Sequence, residues 1–298
     1  MLTQDSKYNY MKIELEDLPS RGLAYPEGTV IKGRFLTIQD VKFLALLNEY
    51  TATSVINEIL DRCFYMTFPF EDLLLCDRLY LAFWLRANSF MKENGYTFNI
   101  KCQNCGSTFT QKLLLDDIPV LQLQSVPTEV ILPKSRHVLS LKMPTIKDLN
   151  TVYEDRDIEY IARMLCVENP VDYVLNLNAY DYAYLSAICS QYNAGFNLTF
   201  DFPCKNCGKM NHLQLVLTDD GLFGQMNIRN IINVVLRVTK YVGCYIPDTT
   251  PWPELEMIQD VTNAMVKEEN EEIQKQEAKA KAQQASMQSK YSSKYHTH

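Results

Sequence analysis

The amino-acid sequence predicts an α+β protein made of two tandem pseudo-repeats, with further helices at its C-terminal end. Two observations predict this fold class. The motif CxNCG occurs twice, at 102–106 and at 204–208, and similar helical and strand patterns precede both copies in the same order. Each repeat is therefore expected to be a set of helices followed by a zinc-ribbon-like β-hairpin that carries the CxxC at its tip.

The landmarks of the two predicted repeats correspond one by one. Each repeat starts its first helix at a Thr that an Asp follows three residues later, which is the spacing of a capping box. The corresponding pairs are the capping Thr (Thr37; Thr145), the start of an apolar helix (Asp77; Asp181), the strand entering the turn (96–101; 196–202) and the strand leaving it (109–115; 212–217). Four landmarks in the same order indicate a tandem duplication.

This pattern divides the 298 residues into five segments. They are an N-terminal extension (1–23), repeat 1 (24–120), repeat 2 (130–220), a covering helix (221–245) and a C-terminal helical arm with a disordered end (254–298). The covering helix should end at Gly243 and turn one apolar face to the core. The residues expected on that face are Ile228, Ile231, Ile232, Val235 and Val242.

The C-terminal arm keeps a high helix propensity while it loses its apolar stripe beyond Met265. Such a helix has little to bury against its own domain. Two interpretations remain open at this point. The arm is either a solvated helix that frays towards its end, or a docking segment that becomes ordered when a partner binds.

The four cysteines of the two motifs are the predicted ligands of one structural zinc ion. Two duplicated units usually pack about an approximate twofold axis, which would bring both hairpin tips together. Four thiolates in a tetrahedron form a common structural zinc site, and zinc suits it because it has no redox activity. The predicted ligands are Cys102, Cys105, Cys204 and Cys207.

The other residues of the turns have expected roles in the backbone. Asn104 and Asn206 are expected to tolerate an unusual turn conformation, and Gly106 and Gly208 to permit positive φ. The cysteines outside the turns occur singly in apolar surroundings, where they should pack as small hydrophobic side chains. These are Cys63, Cys76, Cys166, Cys189 and Cys244.

Three other interpretations of the CxxC pairs stay open. A thioredoxin-like dithiol requires a CxxC that opens a helix, whereas predicted strands flank both pairs. A CCHC knuckle is suggested by Cys204, Cys207 and His212, although the first repeat has Thr110 at the position that corresponds to His212. The third interpretation is that the thiols are reduced turn residues without a metal.

Composition favours a non-enzymatic protein that binds neither membranes nor nucleic acid. The chain has only 10 glycines, no glycine-rich nucleotide loop and no HExxH or GxSxG motif. The net charge of −7 has the wrong sign for binding phosphates. The N-terminus lacks the apolar core of a signal peptide, and the longest apolar run, LYLAFWL, is too short to span a bilayer. A cytoplasmic location is expected unless an assembly carries the protein out.

A resemblance to a known family arises at the N-terminal half. The segment Leu18–Gly28, the strand that runs through Arg34, the Thr37-Ile-x-Asp40 cap and the CxxC hairpins resemble the baseplate hub and baseplate assembly proteins of T-even-type contractile-tailed bacteriophages. The similarity is strongest over residues 15–120. It implies a non-enzymatic protein of the tail baseplate, found in the virion or in the host cytoplasm during assembly.

The same resemblance implies that the partners are other baseplate and tail proteins of the phage. They would be reached through the loop at 18–28 and the C-terminal helix. The alternative is a zinc-ribbon module that binds nucleic acid or a polymerase. Lysines at the hairpins favour it, but the acidic residues around them, Asp116, Asp117, Asp201, Asp219 and Asp220, oppose it.

Overall fold

The fold is a mixture of helices and small antiparallel sheets, which confirms the predicted α+β class. The computed structural model describes residues 8–90, 95–114, 117–215, 219–223 and 227–294. Outside the described residues lie Asp116 and the outermost parts of the predicted extension and arm, 1–7 and 295–298.

The described elements alternate along the chain. The helices are α1 (Ile38–Leu44), α2 (Ala52–Cys63), α3 (Leu75–Ser89), α4 (Arg156–Met164), α5 (Pro170–Leu175), α6 (Ala179–Ser190), α7 (Asp219–Phe223), α8 (Ile228–Val242) and α9 (Trp252–Lys294). The strands are β1 (Met11–Ile13), β2 (Ile31–Gly33), β3 (Phe64–Met66), β4 (Gly95–Lys101), β5 (Thr108–Leu114), β6 (Val120–Leu121), β7 (Glu129–Ile131), β8 (Val138–Ser140), β9 (Gly195–Phe196), β10 (Thr199–Pro203) and β11 (Met210–Gln214).

All the described sheets are small and antiparallel. Strands β1, β2 and β3 form a three-stranded sheet, and the remaining strands pair as β4-β5, β6-β9, β7-β8 and β10-β11. Two of these pairs are the cysteine hairpins. Their strands meet the turn at the pairs Lys101–Thr108 and Pro203–Met210, so each turn contains one CxxC.

The strand expected over 196–202 is in fact interrupted. Its first residue, Phe196, belongs to β9, which pairs with β6, and the hairpin strand β10 begins only at Thr199. Asn197 causes the break, because its side-chain oxygen accepts a hydrogen bond from the Thr199 N–H at 3.1 Å. Its own N–H donates to the carbonyl of Pro119 at 2.8 Å, which directs the chain towards β6.

Both predicted capping boxes are present, but they start two different types of helix. Thr37 and Asp40 cap α1, whereas Thr145 and Asp148 cap a 3-10 helix over Ile146–Asn150 instead of an α-helix. The second helix stops early because Thr151 is extended.

The apolar side chains form two main cores. The larger one joins α1, α2 and α3 with α8 and the start of α9, and the smaller one joins β7 and β8 with α4 and α6. Helix α2 illustrates why this sequence folds as it does, since its apolar residues recur at intervals of three and four and all face the larger core. These residues are Ala52, Val55, Ile56, Ile59, Leu60 and Cys63.

The covering helix packs on the core along a face that includes only two of the five residues expected on it, Ile231 and Val235. In α8, Ile231 and Val238 are buried and Val234 and Val235 are partly buried, which is one complete helical face. The prediction was wrong for three positions of α8, which are exposed: Ile228, Ile232 and Val242. The packed positions recur at intervals of three and four residues from 231 to 238, and this spacing defines the face of α8 that contacts the core.

The start of helix α9 packs against the first half of the chain, and the rest of the helix extends into solvent. The Trp252 N–H donates to the Leu36 carbonyl at 2.7 Å, and Leu255 is fully buried. From residue 267 to residue 283 every position is exposed. At 1.5 Å per residue, this stretch extends roughly 25 Å as a solvated helix.

A buried carboxylate holds the loop that precedes β2. Asp77, at the start of α3, accepts hydrogen bonds from the Ser20 N–H at 2.9 Å and from the Tyr25 hydroxyl at 2.7 Å. Burial raises the pKa of Asp77, although these hydrogen bonds oppose the effect. The loop at 18–28, which runs through consecutive turns, is therefore anchored to the core at both ends of the Ser20–Tyr25 segment.

Asp181 is the corresponding buried carboxylate at the start of α6. It accepts hydrogen bonds from the N–H groups of Lys134 and Ser135 at 2.8 and 2.9 Å and from the Asn178 side chain at 2.7 Å. Burial by itself raises the pKa of Asp181, but the hydrogen bonds from Lys134, Asn178 and Ser135 outweigh burial and lower it to about 2. The ionised form is the one that holds the loop.

The substitution Asp181→Asn should make the protein less stable at neutral pH, because the amide N–H₂ meets N–H donors. The folded pKa lies below the unfolded value of about 3.9, so the carboxylate stabilises above about pH 4 and the stabilisation is lost towards pH 2. The difference in free energy of unfolding between wild type and variant should therefore shrink over that range. Denaturant unfolding from pH 2 to 7 measures it, and a pH-independent difference would contradict this assignment.

Candidate metal centre

The two cysteine turns have the same local structure. In the first, the Gly106 N–H donates to the Cys102 carbonyl at 2.9 Å, and in the second Gly208 donates to Cys204 at the same distance. The φ angles of the two glycines, 71° and 70°, lie in the left-handed region that favours glycine. Both turns therefore present two sulfur atoms on the same side of a hairpin tip.

The folded chain brings the four predicted ligands together from residues about a hundred positions apart. All four sulfur atoms lie within 4.8 Å of one another. Cys102 Sγ is 3.8 Å from Cys207 Sγ, and Cys105 Sγ is 3.7 Å from Cys204 Sγ. A disulfide would require about 2.05 Å. Four sulfurs at about 2.3 Å from a central zinc stand about 3.8 Å apart, so these two pairs have the spacing of a tetrahedral thiolate site.

The roles expected of the turn asparagines need a correction. Among the described residues, positive φ outside glycine occurs only at Arg21, Arg136 and Asn169. Asn104 and Asn206 therefore do not supply an unusual backbone, because Gly106 and Gly208 supply all the positive φ that the turns need.

Ser107, a residue with no recognisable motif in the sequence, contacts two of the four thiols. Its hydroxyl lies 3.0 Å from Cys105 Sγ and 3.4 Å from Cys204 Sγ. Hydrogen bonds from Ser107, first from its hydroxyl and then from its backbone, are the main reason that the pKa of Cys105 is lowered to about 6, and the hydroxyl is also the largest cause that lowers the pKa of Cys204. Metals bind the thiolate form. Ser107 has no counterpart in the second turn, where Lys209 stands, so comparison of the repeats did not single it out.

Further contacts join the two hairpins beside the sulfur atoms. The side-chain oxygen of the buried Asn211 accepts from the Gln103 N–H at 3.1 Å, and Lys205 Nζ donates to the Thr110 carbonyl at 2.7 Å. Apolar side chains cover the site on its inner side, namely Phe98, Ile100, Phe109, Phe202 and Leu213. Lys205 thus binds the other hairpin. This contact weakens the argument that the hairpin lysines favour nucleic-acid binding.

His212 and the single cysteines lie elsewhere. His212 is exposed on β11 and pairs with Asp201 of β10 through Nδ1, and it does not belong to the sulfur cluster. Cys63 and Cys189 are buried, and Cys76 is partly buried, as predicted. The prediction was wrong for two cysteines that lie outside the packed elements and are exposed: Cys166 and Cys244.

The fold and the site together define an α+β protein with a four-cysteine group that could hold a metal ion. Over residues 10–219, which include both cysteine turns, the chain matches the family described as T4 bacteriophage base plate protein. This match covers more than two thirds of the sequence, and the chain belongs to that family. The predicted resemblance is thereby confirmed at the level of a T4-type baseplate protein, and it gives the protein a structural role in the phage baseplate, as part of the virion tail.

Other comparisons add no relative. No curated protein and no solved structure matches the chain. Within the part of the chain that the structure describes, no helix is both long and apolar enough to cross a membrane. The family role favours interaction with other baseplate proteins over catalysis.

Proposed function

We propose that this chain is a non-enzymatic protein of the baseplate hub, in which one structural zinc ion joins two duplicated halves. The zinc ligands are Cys102, Cys105, Cys204 and Cys207. The observation that carries the proposal is the pairing of sulfurs across the halves, at 3.8 Å and 3.7 Å. Because each half contributes two thiolates, neither half has a complete set of ligands.

The duplication is supported by an ion pair that occurs at equivalent positions in the two halves. Arg34 Nη1 lies 2.6 Å from Asp40 Oδ2 in the first capping box. Lys142 Nζ lies 2.6 Å from Asp148 Oδ1 in the second. In both halves the cation precedes its Asp by six residues and pairs with the carboxylate of the capping box.

The duplication is also supported by two loops with the same anchoring. Each loop begins with a buried Leu followed by Pro, contains an exposed Arg with positive φ and donates hydrogen bonds, at least one of them from a backbone N–H, to a buried Asp at the start of a helix. The equivalent residues are Leu18, Arg21 and Asp77 in the first half and Leu132, Arg136 and Asp181 in the second. These features extend the repeat beyond the landmarks that the sequence pattern contained.

In this proposal zinc acts as a structural joint. Each pair of thiolates belongs to a separate hairpin, so binding of the ion fixes the angle between the hairpins and contributes free energy to folding. Surfaces on both halves then keep a constant relative position. This suits a protein that contacts several neighbours in an assembly.

The proposed partners are other baseplate and tail proteins, reached through two exposed segments. One is the anchored loop at 18–28, which is mostly exposed from Arg21 onwards, and the other is the solvated part of α9. At the start of α9, Met257, Val261 and Met265 are exposed at intervals of four residues, on a face that another protein could cover. The placement in the hub rests on the resemblance of the Leu18–Gly28 region, and association could begin in the host cytoplasm.

Deletion of the gene from its phage tests this function. Lysates should then lack complete baseplates, and the central hub should be missing from the particles seen by electron microscopy while outer parts still form. Complementation with wild type or with Cys166→Ser, whose thiol is exposed and outside the cluster, should restore baseplates, whereas Cys102→Ser should not. Complete baseplates after deletion would overturn the structural role, and loss of only the outer parts would overturn the hub assignment.

A further inference from the structure

Each cysteine turn carries an asparagine at the same position, between its two cysteines, for which the backbone gives no reason. The turns place their positive φ at the glycines, so other residues would fit the asparagine backbone equally well. The side chains make the difference. Asn104 Nδ2 lies 3.6 Å from Cys207 Sγ, and Asn206 Nδ2 lies 3.8 Å from Cys105 Sγ.

These two contacts are reciprocal. Each asparagine donates an amide N–H to the second cysteine of the opposite turn. The two sulfurs that accept these bonds, those of Cys105 and Cys207, belong to the exposed cysteines of the site, whereas Cys102 and Cys204 are buried. The side-chain amides of Asn104 and Asn206 therefore contact the two exposed thiols, which the apolar side chains do not cover.

We propose that Asn104 and Asn206 are positioning residues of the metal centre, each holding a thiolate that the other half contributes. This inference rests on the zinc site proposed above. Four thiolates around a divalent zinc carry a net negative charge, and a neutral N–H donor offsets part of it without competing for the metal. Because each donor belongs to the opposite half, the same bonds also oppose separation of the hairpins.

The chemistry explains why the residue is asparagine. An aspartate has the same shape, but at neutral pH it carries a negative charge and no N–H, so it would repel the thiolate that it faces. An alanine removes the donor and adds no charge. We therefore expect the zinc affinity to fall in the order wild type, Asn104→Ala, Asn104→Asp, and likewise for the variants of Asn206.

The test is competition for zinc between the full chain and a chromogenic chelator. Loss of an outer-shell partner typically weakens a metal site by about 10–100-fold. Asn104→Ala and Asn206→Ala should each show a loss of this size while still binding one zinc per chain. Gln103→Ala is the matched control, because Gln103 is an exposed neighbour in the same turn and only its backbone N–H bonds across the halves.

Cobalt substitution supplies a readout that a loss of general stability would not move. Removing an N–H donor raises the energy of the sulfur electrons, so the sulfur-to-cobalt charge-transfer band of each Asn→Ala variant should shift to longer wavelength, with no shift for Gln103→Ala. Unchanged affinity and band positions in both Asn→Ala variants, with one metal bound, would overturn this inference alone. A wild-type chain that binds no metal would overturn the proposed zinc site and this inference with it.

Discussion

Replacing Cys102 or Cys204 with serine is expected to abolish zinc binding and to destabilise the whole protein. Each substitution leaves three ligands, and the free energy of metal binding is lost from folding. A metal present at a thousand times its Kd stabilises the folded state by about 4 kcal/mol, and a domain of this size loses about 2–4 °C in Tm per kcal/mol. Scanning calorimetry should therefore show Tm lowered by about 8–16 °C.

The cysteines outside the cluster provide the control for this prediction. Cys166→Ser and Cys244→Ser change exposed thiols and should alter stability by less than about 0.5 kcal/mol. The double variant of Cys102 and Cys204 should be no less stable than either single variant, because the first substitution already removes the ion. Additive losses would indicate two separate sites, and losses equal to those of the controls would indicate no site.

The second large effect is expected from Asp40→Ala. The Asp40 carboxylate accepts from Arg34 Nη1 and from the Thr37 N–H and hydroxyl, and both charged side chains are less than a tenth exposed. Its removal leaves a buried guanidinium without its charge partner, which costs about 3–5 kcal/mol. Denaturant unfolding monitored by circular dichroism measures this loss.

The second capping box supplies a matched comparison. Asp148→Ala breaks the equivalent contact, but the Lys142 side chain is 39% exposed and water can solvate its ammonium group once the partner is gone. The loss should then be close to that of a helix cap, about 1 kcal/mol. If the two alanine variants lost the same free energy, burial of Arg34 would not be the reason for the effect.

Local patterns allowed much of the fold to be predicted. Strands β4 and β5 flank a CxxC with a glycine after it, and a Thr followed by Asp at the third position marks a helix start at both Thr37 and Thr145. Both signals lie within ten residues or so, and the chain forms them much as expected. The four cysteines could be predicted to form one site because the CxNCG motif occurs twice in the sequence.

The remaining features depend on residues far apart in the sequence. Asp77 binds Ser20 across 57 positions, and nothing near either residue indicates the contact. Helix α8 has more apolar positions than one face can bury, so only packing decides that Ile231 and not Ile232 faces the core. A single turn does not reveal which sulfur of the other turn lies within reach, so the sequence pattern alone does not indicate the side-chain contacts of the two asparagines.

The central claim is that the two halves share one metal ion, and the most direct measurement is the zinc content of the purified full-length chain. Inductively coupled plasma mass spectrometry on protein prepared without added metal should give one zinc per chain. Two zinc ions per chain would contradict the shared site, and a chain with none, in which Cys102 and Cys105 readily form a disulfide, would contradict the metal centre altogether.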